Sequence, residues 1–227
     1  LANALRELEI GIENEELIVG NRTKGVRYGV VFPESGISWV DREFETISTR
    51  KQDKFLVRDE DIKIFREQIV PYWKGKSLED VIKQNFGKEI SAINKVVKIN
   101  QTDHAQGHIC PNVEKWLQKG VSGLLEAAQN HYKNADEDKK NFYQAIIIVM
   151  KAVQNFMLRY HDLLIATAKD DEKNRASLIK VADICKNISQ RPPQTFHEAV
   201  QATWFLFVIL HMESNASSFS PGRLDKI

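Results

Sequence analysis

The sequence predicts a mainly α-helical protein with minor β content. Three features carry that expectation. Long stretches repeat apolar residues at steps of three and four, capping signatures open several of them, and the glycine- and proline-punctuated part lies near the start, at Gly25, Gly29, Pro33 and Gly36.

Residues 1–58 read as a mixed loop and strand region and residues 59–227 as a helical one. Leu1, Leu5 and Leu8 follow a helical period with no N-cap ahead of them. Glu16-Leu17-Ile18-Val19-Gly20 reads as a short buried strand closed by glycine, followed by loop. Asp59 is placed to cap a helix carrying Ile62, Phe65, Ile69 and Tyr72, with Pro71 near its end. Ser77-Leu78-Glu79-Asp80 resembles a capping box for a short helix through Phe86, stopped by Gly87. A helix spans 112–133. The clearest element spans 136–170, where Phe142, Ile146, Val149, Val153, Phe156, Tyr160 and Leu163 form one apolar face. Residues 171–188 give a further helix. The last begins at the capping-box pattern Thr195-Phe196-His197-Glu198 after Pro192-Pro193, and is apolar almost all round through Met212. The run Trp204 to Leu210 carries more apolar surface than these helices can bury among themselves.

With 32 Lys plus Arg against 31 Asp plus Glu, the chain lacks the basic excess of a nucleic-acid binder. Its two cysteines, Cys110 and Cys185, have no CxxC spacing, so a reducing compartment fits better than a disulfide scaffold. No secretory leader opens the chain, and the most apolar run is too short to span a bilayer. The expectation is a cytoplasmic protein that binds neither nucleic acid nor membrane. Both ends read as cut: the first residue falls inside a periodic segment, and Arg223-Leu224-Asp225-Lys226-Ile227 ends where a new element should begin.

Two polar segments could carry chemistry. Asn100 to Asn112 gathers titratable groups around Gly107, immediately before a helix. A histidine there can act as general acid or base, while Asn100, Asp103 and Asn112 can equally satisfy turn and cap hydrogen bonds. A metal set of Asp103, His104, His108 and Cys110 is disfavoured, because Gly107 and Pro111 oppose the helix that an H-x-x-x-H pair needs. The second segment, Glu213 to Asp225, places four hydroxyls and an amide after an apolar helix. It can hold a small polyol, or simply end the helix in a Pro-Gly turn. No G-x-S-x-G elbow is present. His131, His161, His197 and His211 lie within helical patterns and read as structural.

The ordered motifs NQTDHAQGHICPN (100–112), RPPQTF (191–196) and ESNASSFSPGRLD (213–225), with IGIENEELIVGNR (10–22) ahead of them, resemble the glycyl radical enzymes of the pyruvate formate-lyase family, in the glycerol or diol dehydratase-like branch. The resemblance implies the helical N-terminal portion of a ten-stranded α/β barrel. It also implies a glycyl radical on a C-terminal loop, installed by an iron–sulfur S-adenosylmethionine activating enzyme and passed to a cysteine. Neither radical-bearing loop has a match here: there is no Arg-Val-x-Gly-Tyr-like motif, and neither cysteine lies in a Gly-Cys-Val/Ile-Glu setting. The chain alone is therefore expected to be inactive and to carry no cofactor.

By the same resemblance His108 is the catalytic position, and Asn100, Ser217 and Ser218 bind substrate. Ser217 departs from the branch, where histidine is common at that position. The function implied is elimination of water or a similar leaving group from a small hydroxylated metabolite. Formate acetyltransferase or another carbon–carbon lyase activity is the alternative within the family, and a non-catalytic helical scaffold or partner-binding protein the alternative outside it. The implied partners are the hydroxylated substrate and the activating enzyme, with a homodimer as a compatible assembly.

Overall fold

The structure is a computed structural model that describes residues 1–52, 54–97, 108–214, 216 and 218–223. In chain order the elements are α1 (Ala2–Glu7), α2 (Ser38–Ile47), α3 (Asp59–Ile64), a π-helical turn (Phe65–Ile69), α4 (Val70–Trp73), α5 (Leu78–Ile93), β1 (His108–Ile109), α6 (Val113–Lys133), α7 (Glu137–Asp170), α8 (Arg175–Gln190), α9 (Phe196–Glu213) and β2 (Ser218–Phe219). The described residues are mostly helical, with one two-stranded sheet of β1 and β2. They fall into two compact units.

The first unit comprises residues 1–25, 109–213 and 219–227. At its centre is the 34-residue α7, flanked by α6, α8 and α1. Its buried positions are Ile147, Ala152, Val153, Phe156, Met157, Tyr160, Leu164 and Ala168. Burial extends beyond the one face read from the period, to Ile147 and Met157, but Phe142 is exposed and the seam runs through Leu164 rather than Leu163. Phe156, Tyr160 and Phe205 of α9 pack ring against ring with centroids 5.2–5.8 Å apart, geometry that adds to the area they bury.

Several expectations need correction. Glu16–Gly20 is not a strand, although Val19 is fully buried. Its backbone is satisfied by a side chain: Gln201 Oε1 accepts from Val19 N–H at 2.8 Å, and Gln201 Nε2 donates to Val19 C=O at 2.7 Å. One buried amide does what a neighbouring strand would otherwise do. Trp204 Nε1 donates to Gly20 C=O at 2.8 Å. Gly20 sits at φ +125°, a backbone conformation that side chains rarely adopt, and a Cβ there would stand 3.0 Å from the Phe205 ring. The helix expected over 171–188 begins at Arg175, because Asp171 accepts from the Asn174 backbone and side chain and closes a turn first.

α6 bends at Gly120 (φ 62°, ψ 175°), where a Cβ would stand 3.0 Å from the backbone of Pro192. The bend lets the 191–193 segment pass against the helix. α9 opens as its sequence suggests on one side only. Thr195 Oγ1 accepts from Glu198 N–H, but the Glu198 carboxylate turns to Gln194 N–H at 2.7 Å and to Arg191 at 2.7 and 2.9 Å.

The second unit covers residues 26–108 and 214–218. Its small core is Ile37, Val40 and Phe65, with Trp39, Phe44, Ile69 and Trp73 packed around it. α2 falls inside the stretch read as loop: Trp39, Val40 and Phe44 follow a helical period that the preceding Gly and Pro residues obscured. Arg58 rather than Asp59 is the N-cap of α3, and Asp61 reaches back to its N–H at 3.1 Å. The π turn lies just before Pro71, which lacks the N–H needed for an α-helical bond to the Glu67 carbonyl. Ser77 caps α5 as expected, accepting from Asp80 N–H at 3.1 Å. The helix does not stop at Gly87: it kinks at Phe86 and continues to Ile93.

Candidate active site

β1 and β2 bring two distant segments together. β1 runs directly into α6 through Cys110-Pro111, and Asn112 caps that helix by accepting from Lys115 N–H at 2.9 Å. β2 follows α9. The strands pair, and beyond the pair Ser220 N–H donates to Ile109 C=O at 2.8 Å. The two helices behind them are also tied, since Trp116 Nε1 of α6 donates to the Ala202 carbonyl of α9 at 2.9 Å. The two paired segments thus adjoin, along the chain, two helices that are tied to each other.

His108 lies on β1 and is exposed, and Ser218 lies on β2 and is half-buried. These two expected site residues come to paired strands. Asn100 and Ser217 lie outside the described residues, as do Asp103 and His104 of the disfavoured metal set. Among the described residues no three potential metal ligands cluster. Phe219, adjacent to Ser218, packs edge-on against Phe207 of α9 at 5.6 Å. It forms part of an apolar groove of about 630 Å³ with Ile18, Phe196, Trp204, Phe207 and Pro221.

The helical histidines have structural partners. His161 Nδ1 lies 3.1 Å from the Ala182 carbonyl and His197 Nε2 lies 2.7 Å from the Leu17 carbonyl. A carbonyl oxygen only accepts, so each of these nitrogens carries the proton. His131 stacks on Tyr143 at 5.3 Å.

The two cysteines differ. Cys185 is fully buried in α8, and burial pushes its thiol up to about 12. That environment does not suit a radical-carrying thiol that must reach substrate. Cys110 is exposed between β1 and α6.

The polar network behind α9 is built on Glu198. Burial alone would raise its carboxyl, but donation from Arg191, the Gln194 N–H and Asn187 outweighs this and holds it below the ordinary 4.5. Arg191, Gln194 and Glu198 all lie in or beside the RPPQTF motif, and through these bonds the motif fixes the entry to α9. Its role in the fold is structural.

A fold of braced helices with two polar segments joined by short strands matches a known family. The pyruvate formate lyase-like family model matches residues 1–227, and the chain belongs to that family. The probable dehydratase YbiW of Escherichia coli K12 is 32% identical over 100% of this chain and 29% of its own length. An isethionate sulfite-lyase of Oleidesulfovibrio alaskensis is 28% identical over 100% of this chain and 30% of its own length. Among solved structures, the glycerol-bound form of the B12-independent glycerol dehydratase from Clostridium butyricum matches with TM-score 0.88 and 28% identity, over 99% of this chain and 30% of that one. The chain thus spans about 30% of the length of the relatives it matches.

Proposed function

We propose that these residues form part of a glycyl radical lyase or dehydratase that eliminates water, or a similar leaving group, from a small hydroxylated metabolite. The observation that carries this reading is the pairing of β1, which bears His108, with β2, which bears Ser218. The relatives include a probable dehydratase, a glycerol dehydratase and a sulfite-lyase, activities in which a small group leaves, and this supports elimination.

Hydroxide is a poor leaving group, so elimination of water requires a proton at the departing oxygen. His108 supplies it as general acid. Ser218, Asn100 and Ser217 orient the substrate by hydroxyl and amide hydrogen bonds. The glycyl radical, installed by an iron–sulfur S-adenosylmethionine activating enzyme, supplies the hydrogen-abstraction chemistry from residues other than these 227. In this reading the described helices wrap the start of the family's ten-stranded α/β barrel, residues 1–227 are the N-terminal part of one domain, and the enzyme is cytoplasmic.

Electron paramagnetic resonance combined with turnover tests the proposal. The complete polypeptide, incubated with its activating enzyme, should give an organic-radical doublet and release water or sulfite from a two- or three-carbon hydroxylated substrate. The 227-residue chain alone should give neither. A doublet from the short chain, or an activated complete polypeptide inert toward every such substrate, would overturn it.

A further inference from the structure

The last turn of α9 ends in a buried histidine that the proposed chemistry does not use. His211 is 5% exposed. Its Nδ1 lies 2.9 Å from the Phe207 carbonyl oxygen one turn earlier. Because that oxygen only accepts, Nδ1 carries the proton and the bond fixes both tautomer and ring plane. The ring packs on Phe207 with centroids 4.2 Å apart at 35°, and stands 6.3 Å from Phe219 at 50°. Phe207 in turn meets Phe219 edge-on at 5.6 Å and stacks on Trp204 at 4.9 Å. Three rings of α9 therefore form a ladder whose last members face the one aromatic ring of β2.

A two-residue strand has little intrinsic stability. Among the described residues, β2 is held by its pairing with β1, by the Ser220 N–H bond to Ile109 and by the packing of the half-buried Phe219 against this ladder. An aliphatic side chain at 211 could fill the volume, but it has no donor to lock a ring plane against Phe219.

We propose that His211 is a positioning residue for the candidate site: its hydrogen-bonded ring, packed on Phe207 and set against Phe219, holds β2 in place and with it the Ser218 hydroxyl one residue earlier. This inference rests on the reading of Ser218 as a substrate-binding group.

The test is a double-mutant cycle in the complete, activated polypeptide, with radical content followed by electron paramagnetic resonance. Ser218→Ala and His211→Ala should each raise KM roughly tenfold, about the worth of one hydroxyl hydrogen bond, with kcat changed much less. The double variant should be no worse than Ser218→Ala, because His211 acts through that hydroxyl. His211→Phe, which keeps a ring, should recover part of the loss. Amide exchange at Ser220 should be faster in His211→Ala than in the parent. Additive effects on KM, a fall in thermal stability with KM unchanged, or unaltered exchange at Ser220 would each overturn the proposal. If Ser218→Ala itself left KM unchanged, the substrate role of Ser218 would fall instead, and exchange at Ser220 would still decide whether His211 anchors the strand.

Discussion

Cys110 and Cys185 show how far environment, rather than residue type, sets chemistry. Neither has CxxC spacing in the sequence, and neither lies in the setting expected of a radical-carrying thiol. In the fold Cys185 is buried in the core of the first unit with its thiol pushed up to about 12, while Cys110 is exposed. A thiol-specific reagent at neutral pH should therefore modify one cysteine in the native chain and both after denaturation. Mass spectrometry of the labelled peptides should place the native adduct on Cys110. Native modification of Cys185 at a comparable rate would contradict the packing described for α8. Gln201 belongs to the same scale. It sits in the middle of an apolar helix, where it looks like a flaw in the pattern, and its purpose appears only once Val19 is found against it.

At the scale of elements, the Glu198 network gives a pH-dependent prediction. The folded carboxyl sits below the ordinary 4.5 because its donors outweigh the effect of burial. Its contribution to stability is therefore present above the unfolded value and lost as pH falls through the lowered folded value. Glu198→Gln should lower the melting temperature by several degrees near neutral pH and flatten its decline between about pH 6 and pH 3. Parallel acid profiles for variant and parent would contradict the assignment.

The long helices were legible in the sequence, because their apolar period and the caps at Ser77 and Asn112 are local signals. The kinks at Phe86 and Gly120, the late start of α8 and the side-chain-supported segment at Val19 were not. Each of the last three depends on residues distant in sequence or on turn closure. β1 and β2 escaped for a further reason, since a two-residue strand has no period to read. Of the candidate site, the residue types and their order were visible, but the pairing that joins His108 to the Ser218 segment exists only in three dimensions.

On the scale of the whole molecule, the apolar excess noted in the Trp204 to Leu210 run has a concrete form. Phe205, Leu206, Val208 and Ile209 are buried, while Trp204 remains 38% exposed and Phe196 69% exposed along the groove that also holds Phe207. No helix among the described residues is long and apolar enough to cross a membrane. The 227-residue chain in isolation should therefore bind an apolar-surface dye and associate as concentration rises. A sharp monomer on size-exclusion chromatography that leaves the dye dark would show that this face is tolerated in water. Phe156→Ala, which empties a fully buried site where α7 meets α9, should cost about 3–5 kcal/mol and unfold the first unit under mild denaturant.

In the proposed elimination the proton donor is His108. In the activated complete polypeptide, His108→Ala should lower kcat by roughly 10²–10⁴-fold, the usual loss when a general acid is removed. Radical content should be unchanged, and His104→Ala should cost far less. Equal losses for the two variants, or a His108→Ala enzyme with full activity, would contradict the assignment.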